Sequence, residues 1–369
     1  MLTRRFPRQI LQTVLAALCL AAVVLLMAAV VGTGINDYTL QIRVVTQKWL
    51  SGESRLFDAA APGYYNVPWS VWLFVPTVWF SPAIGQAMVN TLNLLGVIAA
   101  LHVFGQGLPF WVKLLAAAPF WVFMLMLAGN LDGIVLLGFC LGWWAATERR
   151  PWRLAVGLWL ATLKVVNSLP LLLFIVLLTW RWSWRDRLKA LSFLLVSLAL
   201  SFPAFGIDWP LRYLRSYRAN PPFFFPIVTV WKLGAAVGLP WLIVLAWCVF
   251  VVGVCIIALR RRGPTISTFA LVTAGWMLVT PYALDIHYVL LAPAFLEVAR
   301  RSKAAAVAAY LATFTPILRV RYGFDIIHVD LVYPLLLWAV TLFGLRKRPV
   351  ATEAPSGQAA LVAGSGASE

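Results

Sequence analysis

Acids are scarce in this sequence, 13 against 30 lysines and arginines, so an acid set beside a long apolar run needs a reason. Asp37 is the first in the chain and follows directly on the first apolar run. Asn130 and Asp132 interrupt a nearly continuous apolar stretch at Ala128-Gly-Asn-Leu-Asp132. Lys164 and Asn167 do the same within 152–180, in Leu163-Lys-Val-Val-Asn-Ser-Leu-Pro170. Asp285 and His287 stand two residues apart at the mouth of a later apolar segment, followed by Tyr288. A placed carboxylate can take a proton from a hydroxyl. Lysine, histidine and the planar fork of arginine can hold a phosphate. Two arginine groups qualify for that role, Arg212, Arg215 and Arg218 in one loop and Arg319 and Arg321 in another.

Each of these residues also has an ordinary reading. Asp37 could be a solvated acid on an interfacial connector, and Lys164 could snorkel from a tilted helix. Asp285 and His287 could cap a helix at the interface, and the arginines could meet anionic headgroups. His102, at the end of a long apolar helix, reads as structural.

The elements that must position these residues are membrane helices. The chain has 369 residues, 62% of them hydrophobic and 12% charged, with 19 tryptophans. Apolar runs long enough to cross about 30 Å of hydrocarbon recur from end to end, which predicts an all-α polytopic membrane protein. The first run, from about Ile10 to Val31, reads as an uncleaved span. The net charge of +17 is not a nucleic-acid signature, because the basic residues fall in short clusters between apolar runs, such as 149–153, 260–262, 300–303 and 346–348. Clusters of that kind mark cytoplasmic loops. The chain is therefore expected in the plasma (inner) membrane, with both termini cytoplasmic. Cys19, Cys140, Cys248 and Cys255 lie inside apolar runs as small buried hydrophobes. Neither they nor the histidines have metal spacing.

Residues 33–68 form the first external loop, in which Tyr38, Ile42, Val45 and Trp49 repeat at helical spacing. This predicts an amphipathic helix with Asp37, Gln41 and Lys48 off its apolar stripe. Trp69 to about Phe80 is expected to enter the membrane and to end at Pro82. Counting every run as a full span would put the basic turn at Arg149 outside, so one segment between 69 and 128 is expected to be re-entrant or interfacial. Residues 152–180 are basic at both ends, yet too short for two crossings at about 1.5 Å per residue. A pair of short helices meeting near Lys164 is predicted instead, a shape found where a cavity is lined. A second external loop is expected at 207–226. The whole is one transmembrane domain, 1–348, of roughly 10–12 transmembrane or re-entrant helices, followed by a disordered cytoplasmic tail, 349–369.

Three stretches in order carry a resemblance. The external loop has Asp37, a short helix, Leu50-Ser-Gly52, Leu56-Phe57 and an aromatic-proline approach to the next helix. Gly129-Asn130 is followed by an apolar helix, a basic turn and Leu163-Lys164 running to Pro170. The third is Thr280-Pro-Tyr-Ala-Leu-Asp285-Ile-His287-Tyr288. Together, over most of 30–300, they resemble the glycosyltransferase 87 family, integral-membrane transferases of the C-type fold similar to polyprenyl-phosphate-mannose-dependent mannosyltransferases. The chain departs from the family at Asn130, where a Gln is usual, and at Tyr65-Asn-Val-Pro68, where Tyr-Pro-Pro is usual. An Asn-Gln-Ser motif expected near 220–230 is replaced by Asn220-Pro-Pro-Phe.

The resemblance implies inverting transfer of a sugar, mannose by family precedent, from a polyprenyl phosphate to a lipid or glycan acceptor at the extracytoplasmic face. Asp37 would be the general base. His287, Lys164, Arg212, Arg215, Arg319 and Arg321 are the candidates to hold the donor phosphate, and Asn130, Asp132, Asp285 and Tyr288 would line the cavity. No cofactor, metal or nucleic acid is called for. A transporter or lipid flippase of envelope glycan assembly shares broken helices and intramembrane charge, and a non-catalytic membrane subunit would need no Asp37.

Overall fold

A computed structural model describes residues 22–29, 36–53, 64, 66–219, 229–315, 317 and 329–346. Arg319, Arg321, the tail 349–369, Cys19 and most of the first apolar run lie outside the described residues. Among those described, the chain is helical throughout. Five helices are long and apolar enough to cross a membrane, as expected of a polytopic membrane protein.

The first described helix is 22–29 (α1). A wide helical turn, Tyr38–Ile42, then leads into α2, Arg43–Leu50. The predicted stripe is real: Tyr38, Ile42 and Val45 are buried and Trp49 is half-buried. It faces protein, however. Trp49 donates from its indole N–H to Ala204 O at 3.3 Å and packs on Phe205.

The short helix α3, Ser70–Val78, lies in the 69–128 stretch where a segment short of a full span is expected. Nine residues rise only about 13 Å. Both of its ends meet the same side of the molecule, through Trp72 on Phe205 and Thr77 on the Tyr38 hydroxyl. Pro82 does not end this helix. It opens the next, α4, Pro82–Val103, where its missing N–H is no loss and Ser81 caps Ile84 N.

The bundle centre is α7, Asp132–Thr147, buried along most of its length. It is reached through α5, Phe110–Ala117, and α6, Phe120–Ala128, which are separated by Pro119. Helix α4 packs against α7 at a glycine crossing. A Cβ on Gly96 would stand 1.8 Å from Gly133 O, so only two glycines allow this approach.

Helices α8, Pro151–Ala161, and α9, Val165–Thr179, form the predicted fold-back. Taken by length and composition, Pro151–Thr179 passes as one 29-residue span. The contacts show a reversal. Gly157 meets Gly142, and Ala161 meets Gly138, so α8 runs antiparallel to α7. Asn167 then bonds Asp132, Leu171 meets Gly142 and Phe174 meets Trp143, so α9 runs back along the same helix. The turn is Thr162–Lys164, where Lys164 leaves helical geometry at φ −126°, ψ 86°.

Helix α10, Trp184–Phe205, packs beside α8, with the Trp159 indole on Ser197 Oγ at 2.9 Å. After it come α11, Trp209–Ala219; α12, Val230–Ala236; α13, Trp241–Arg262; and α14, Ile266–Val279. A tight helical turn, Asp285–Leu291, leads to α15, Ala292–Arg301, then α16, Lys303–Ala312, and α17, Val332–Arg346.

Basic turns collect at one end of the bundle. Arg300 bonds Phe104 O, Arg262 donates to Leu345 O at 2.7 Å, and Arg153 lies over Trp144. The opposite end carries α2, α3 and the top of α10.

Candidate functional site

Asp37 is held by its neighbours in sequence. Asn36 donates to Gln86 Oε1 on α4 at 2.9 Å and accepts from the Thr39 backbone N–H at 3.0 Å. Tyr38 is fully buried and donates to Thr77 Oγ1 at 3.1 Å. Gly129 sits at φ +60°, and a Cβ there would lie 2.8 Å from Tyr38 Cβ. The left-handed glycine therefore ends α6 and presses the 129–131 loop against Asp37.

That loop delivers Asn130. Its Nδ2 donates to Asp37 Oδ2 at 2.6 Å. Its Oδ1 accepts from Leu131 N at 2.6 Å and from the Lys164 ammonium. Asn93 on α4 fixes the backbone, donating to Asn130 O at 2.7 Å and accepting from Ile134 N at 3.1 Å.

Lys164, at the tip of the fold-back, reaches Asp132 Oδ2 at 2.9 Å. Asp132 is fully buried at the start of α7 and also accepts from Asn167 Nδ2, at 3.2 Å. His287 closes the group, with Nε2 at 3.3 Å from Lys164 Nζ and 3.7 Å from Asp132 Oδ2. Its Nδ1 accepts from the Leu284 backbone N–H at 3.1 Å. A backbone N–H can only donate, so the neutral ring carries its proton on Nε2. The ammonium of Lys164 and this N–H are both donors, and the acceptor they both approach is Asp132 Oδ2.

The cluster thus unites four separate segments: the first loop, the start of α7, the tip of the fold-back and the turn before α15. It holds two carboxylates, one ammonium and one imidazole. Helix α7 has 16 residues, which puts Asp132 about 22 Å from the basic end at 1.5 Å per residue. Asp37 is half-buried and Lys164 retains some exposure, whereas Asp132 and His287 have none. Burial raises the Asp37 carboxyl above its ordinary range. The charge of Lys164 and the bond from Asn130 oppose that shift, and Asp132 adds to it.

Five of the expected residues, Asp37, Asn130, Asp132, Lys164 and His287, therefore meet. Others do not. Arg212 is used locally, bonding Phe205 O and pairing at 3.2 Å with Asp208, the residue just before its helix. Arg215 is exposed on α11. Tyr288 does not line the cluster; it packs edge-on against Trp121 at 5.1 Å and beside Tyr333. At about three residues per turn, consecutive side chains in this tight segment diverge by about 120°, so His287 and Tyr288 face different sides. Asp285, the first residue of the tight turn, accepts from the Ile286 backbone N–H at 2.9 Å.

Sequence reasoning missed Gln86, Asn90 and Asn93. They lie on one face of α4 and bond the backbone of 126–134. Their spacing, four and then three, was the available signal. Among the described residues no group of three His, Cys, Asp or Glu side chains is arranged to hold a metal.

No family model matches the chain, and no curated protein or solved structure matches it significantly. The functional reading rests on the residues themselves.

Proposed function

We propose that the chain is an integral-membrane glycosyltransferase that moves a hexose, mannose by family resemblance, from a polyprenyl phosphate to a lipid or glycan hydroxyl. The observation that carries this reading is the half-buried Asp37 carboxylate set beside two convergent donors, Lys164 Nζ and His287 Nε2, in one cluster. Asp37 takes the proton of the acceptor hydroxyl as its oxygen forms a bond to the anomeric carbon. The bond from that carbon to the phosphate oxygen breaks on the opposite side, giving inversion. The departing phosphate keeps the electron pair, and its charge falls to Lys164 and His287.

A lipid-linked donor is supported by an apolar cleft of about 330 Å³ between α9, α13 and α14. Leu169 and Pro170, one to two turns beyond Lys164, line it together with Val279, Cys255 and Leu259. An isoprenoid chain lying there would keep its phosphate near the fold-back tip. Under the positive-inside rule the cluster opens away from the cytoplasm. A flippase is the rival reading, favoured by the charged tip of the fold-back.

Purified protein, given polyprenyl-phosphate mannose and a panel of lipid and glycan acceptors, is expected to form a mannosylated product. Leaflet-to-leaflet movement of the intact donor in proteoliposomes, without product, would replace this reading with the flippase.

A further inference from the structure

The Asn130 side chain cannot be turned over. Its Oδ1 faces a backbone N–H and an ammonium, both of which can only donate. Its NH2 must therefore face Asp37. Among the described residues it is the only side chain bonded to that carboxylate, and it engages Oδ2. The backbone of Asn130 is equally fixed, between the left-handed Gly129 and Asn93.

We infer that Asn130 is a positioning residue: it holds Asp37 by one oxygen, leaves the other to face a substrate hydroxyl, and links this base to Lys164 on the phosphate side. The inference rests on the proposed base role of Asp37. The link runs both ways. As charge builds on a departing phosphate, Lys164 is drawn toward it and gives less to Asn130 Oδ1. The Asn130 amide then polarises less, and Asp37 holds the proton it has just taken more firmly.

The charged groups around Asp37 are few. Lys164 and Asp132 act on it from the fold-back and from α7. Arg43, from its own segment, is occupied by Thr77 O and Val78 O at the end of α3, at 3.4 and 3.3 Å.

The discriminating variant is Asn130→Ala, which removes the donor without adding charge, and its companion is Asn130→Asp. The companion preserves an oxygen for Leu131 N–H and Lys164 and has the same shape, but it replaces the donor facing Asp37 with a second carboxylate oxygen. Full-length protein in lipid nanodiscs is titrated by difference infrared spectroscopy, with the Asp37 carboxyl band assigned by its loss in Asp37→Asn. The expected result is an Asp37 midpoint at least about one pH unit higher in Asn130→Asp than in wild type, with a smaller rise in Asn130→Ala. A purely structural Asn130 predicts an unmoved midpoint in Asn130→Ala, where the donor is lost and no new charge is added, and that would overturn the inference. So would an Asp37 that keeps one protonation state in all three proteins. The titration uses no substrate, so its outcome is separate from that of the transfer assay. If both transfer and the shift occur, Asn130→Asp should also lower kcat about 10-fold or more with little change in KM.

Discussion

Two buried acid clusters stand at opposite ends of this bundle, and they differ in how completely they are paired. At the basic end, Glu297 on α15 accepts from Arg301 at 2.6 Å, Arg300 at 3.2 Å and Ser267 Oγ at 2.6 Å. Arg300 goes on to bond Phe104 O, so the cluster ties α15 to α14 and to the end of α4. One carboxylate has two cations, and every partner is local or structural. At the other end, two carboxylates share one ammonium, Asp37 is left half-exposed, and His287 Nε2 stands 3.7 Å from the Asp132 Oδ2 that Lys164 bonds. Asn167 Oδ1 is buried there with no partner among the described residues. Buried charge alone therefore does not mark a site here. What sets the Asp37 end apart is incomplete pairing with access.

Substitutions can test that contrast. The largest effect is expected at Lys164→Met, which removes both a proposed phosphate donor and the one cation that, among the described residues, bonds buried Asp132. Turnover should fall about 10²–10³-fold, the usual loss for one stabilising donor. Stability should fall by about 3 kcal/mol, because a buried charge is left unpaired. Thermal unfolding of Lys164→Met and of Lys164→Met/Asp132→Leu separates the two losses: the double variant should regain stability and not activity.

Glu297→Gln should do the reverse. Loss of its charge-assisted bonds is expected to cost about 2 kcal/mol, read as a lower Tm, with turnover per folded molecule unchanged. A loss of turnover at full stability would erase the distinction between the two clusters.

The smallest effect is with pH. Burial raises the Asp37 carboxyl above the ordinary carboxylate range. The base works ionised, so activity should rise with pH through that raised value and fall off on the acid side. Stability has the opposite sign. A carboxyl raised in the folded state contributes most below its unfolded value, and that contribution is lost as pH rises through the folded one. An acid limb of the rate profile at the ordinary carboxylate position would place Asp37 in open water.

The sequence disclosed much of this in residues that violate their surroundings. Asp132 and Lys164 were visible because charge in an apolar run must be satisfied. The fold-back at Lys164 followed from basic residues at both ends of too short a segment. The Tyr38–Trp49 stripe was legible from its period, but not its target, since a 3.6-residue repeat states that one face is covered without saying by what. Pro82 was misread because proline both ends and begins helices, and only the Ser81 cap decides. Tyr288 was placed with the cluster by the resemblance, but neighbours in sequence on a helical turn face different sides, and it packs on Trp121 and Tyr333. The amide face of α4 went unread, because neutral side chains interrupt hydropathy less than charges do. Arg212 shows the limit of charge reading, as an arginine against the orientation bias is engaged by Asp208 and Phe205 O just before its own helix.

The central claim is that Asp37 is a base and the cluster a place of chemistry. Its most direct test is transfer from polyprenyl-phosphate mannose by wild type and Asp37→Asn, with Tm measured on the same preparations. The account predicts product from wild type, and a loss of about 10²-fold or more in the variant, in the range of general-base contributions, at an unchanged Tm. Undiminished transfer by a folded Asp37→Asn protein would contradict it.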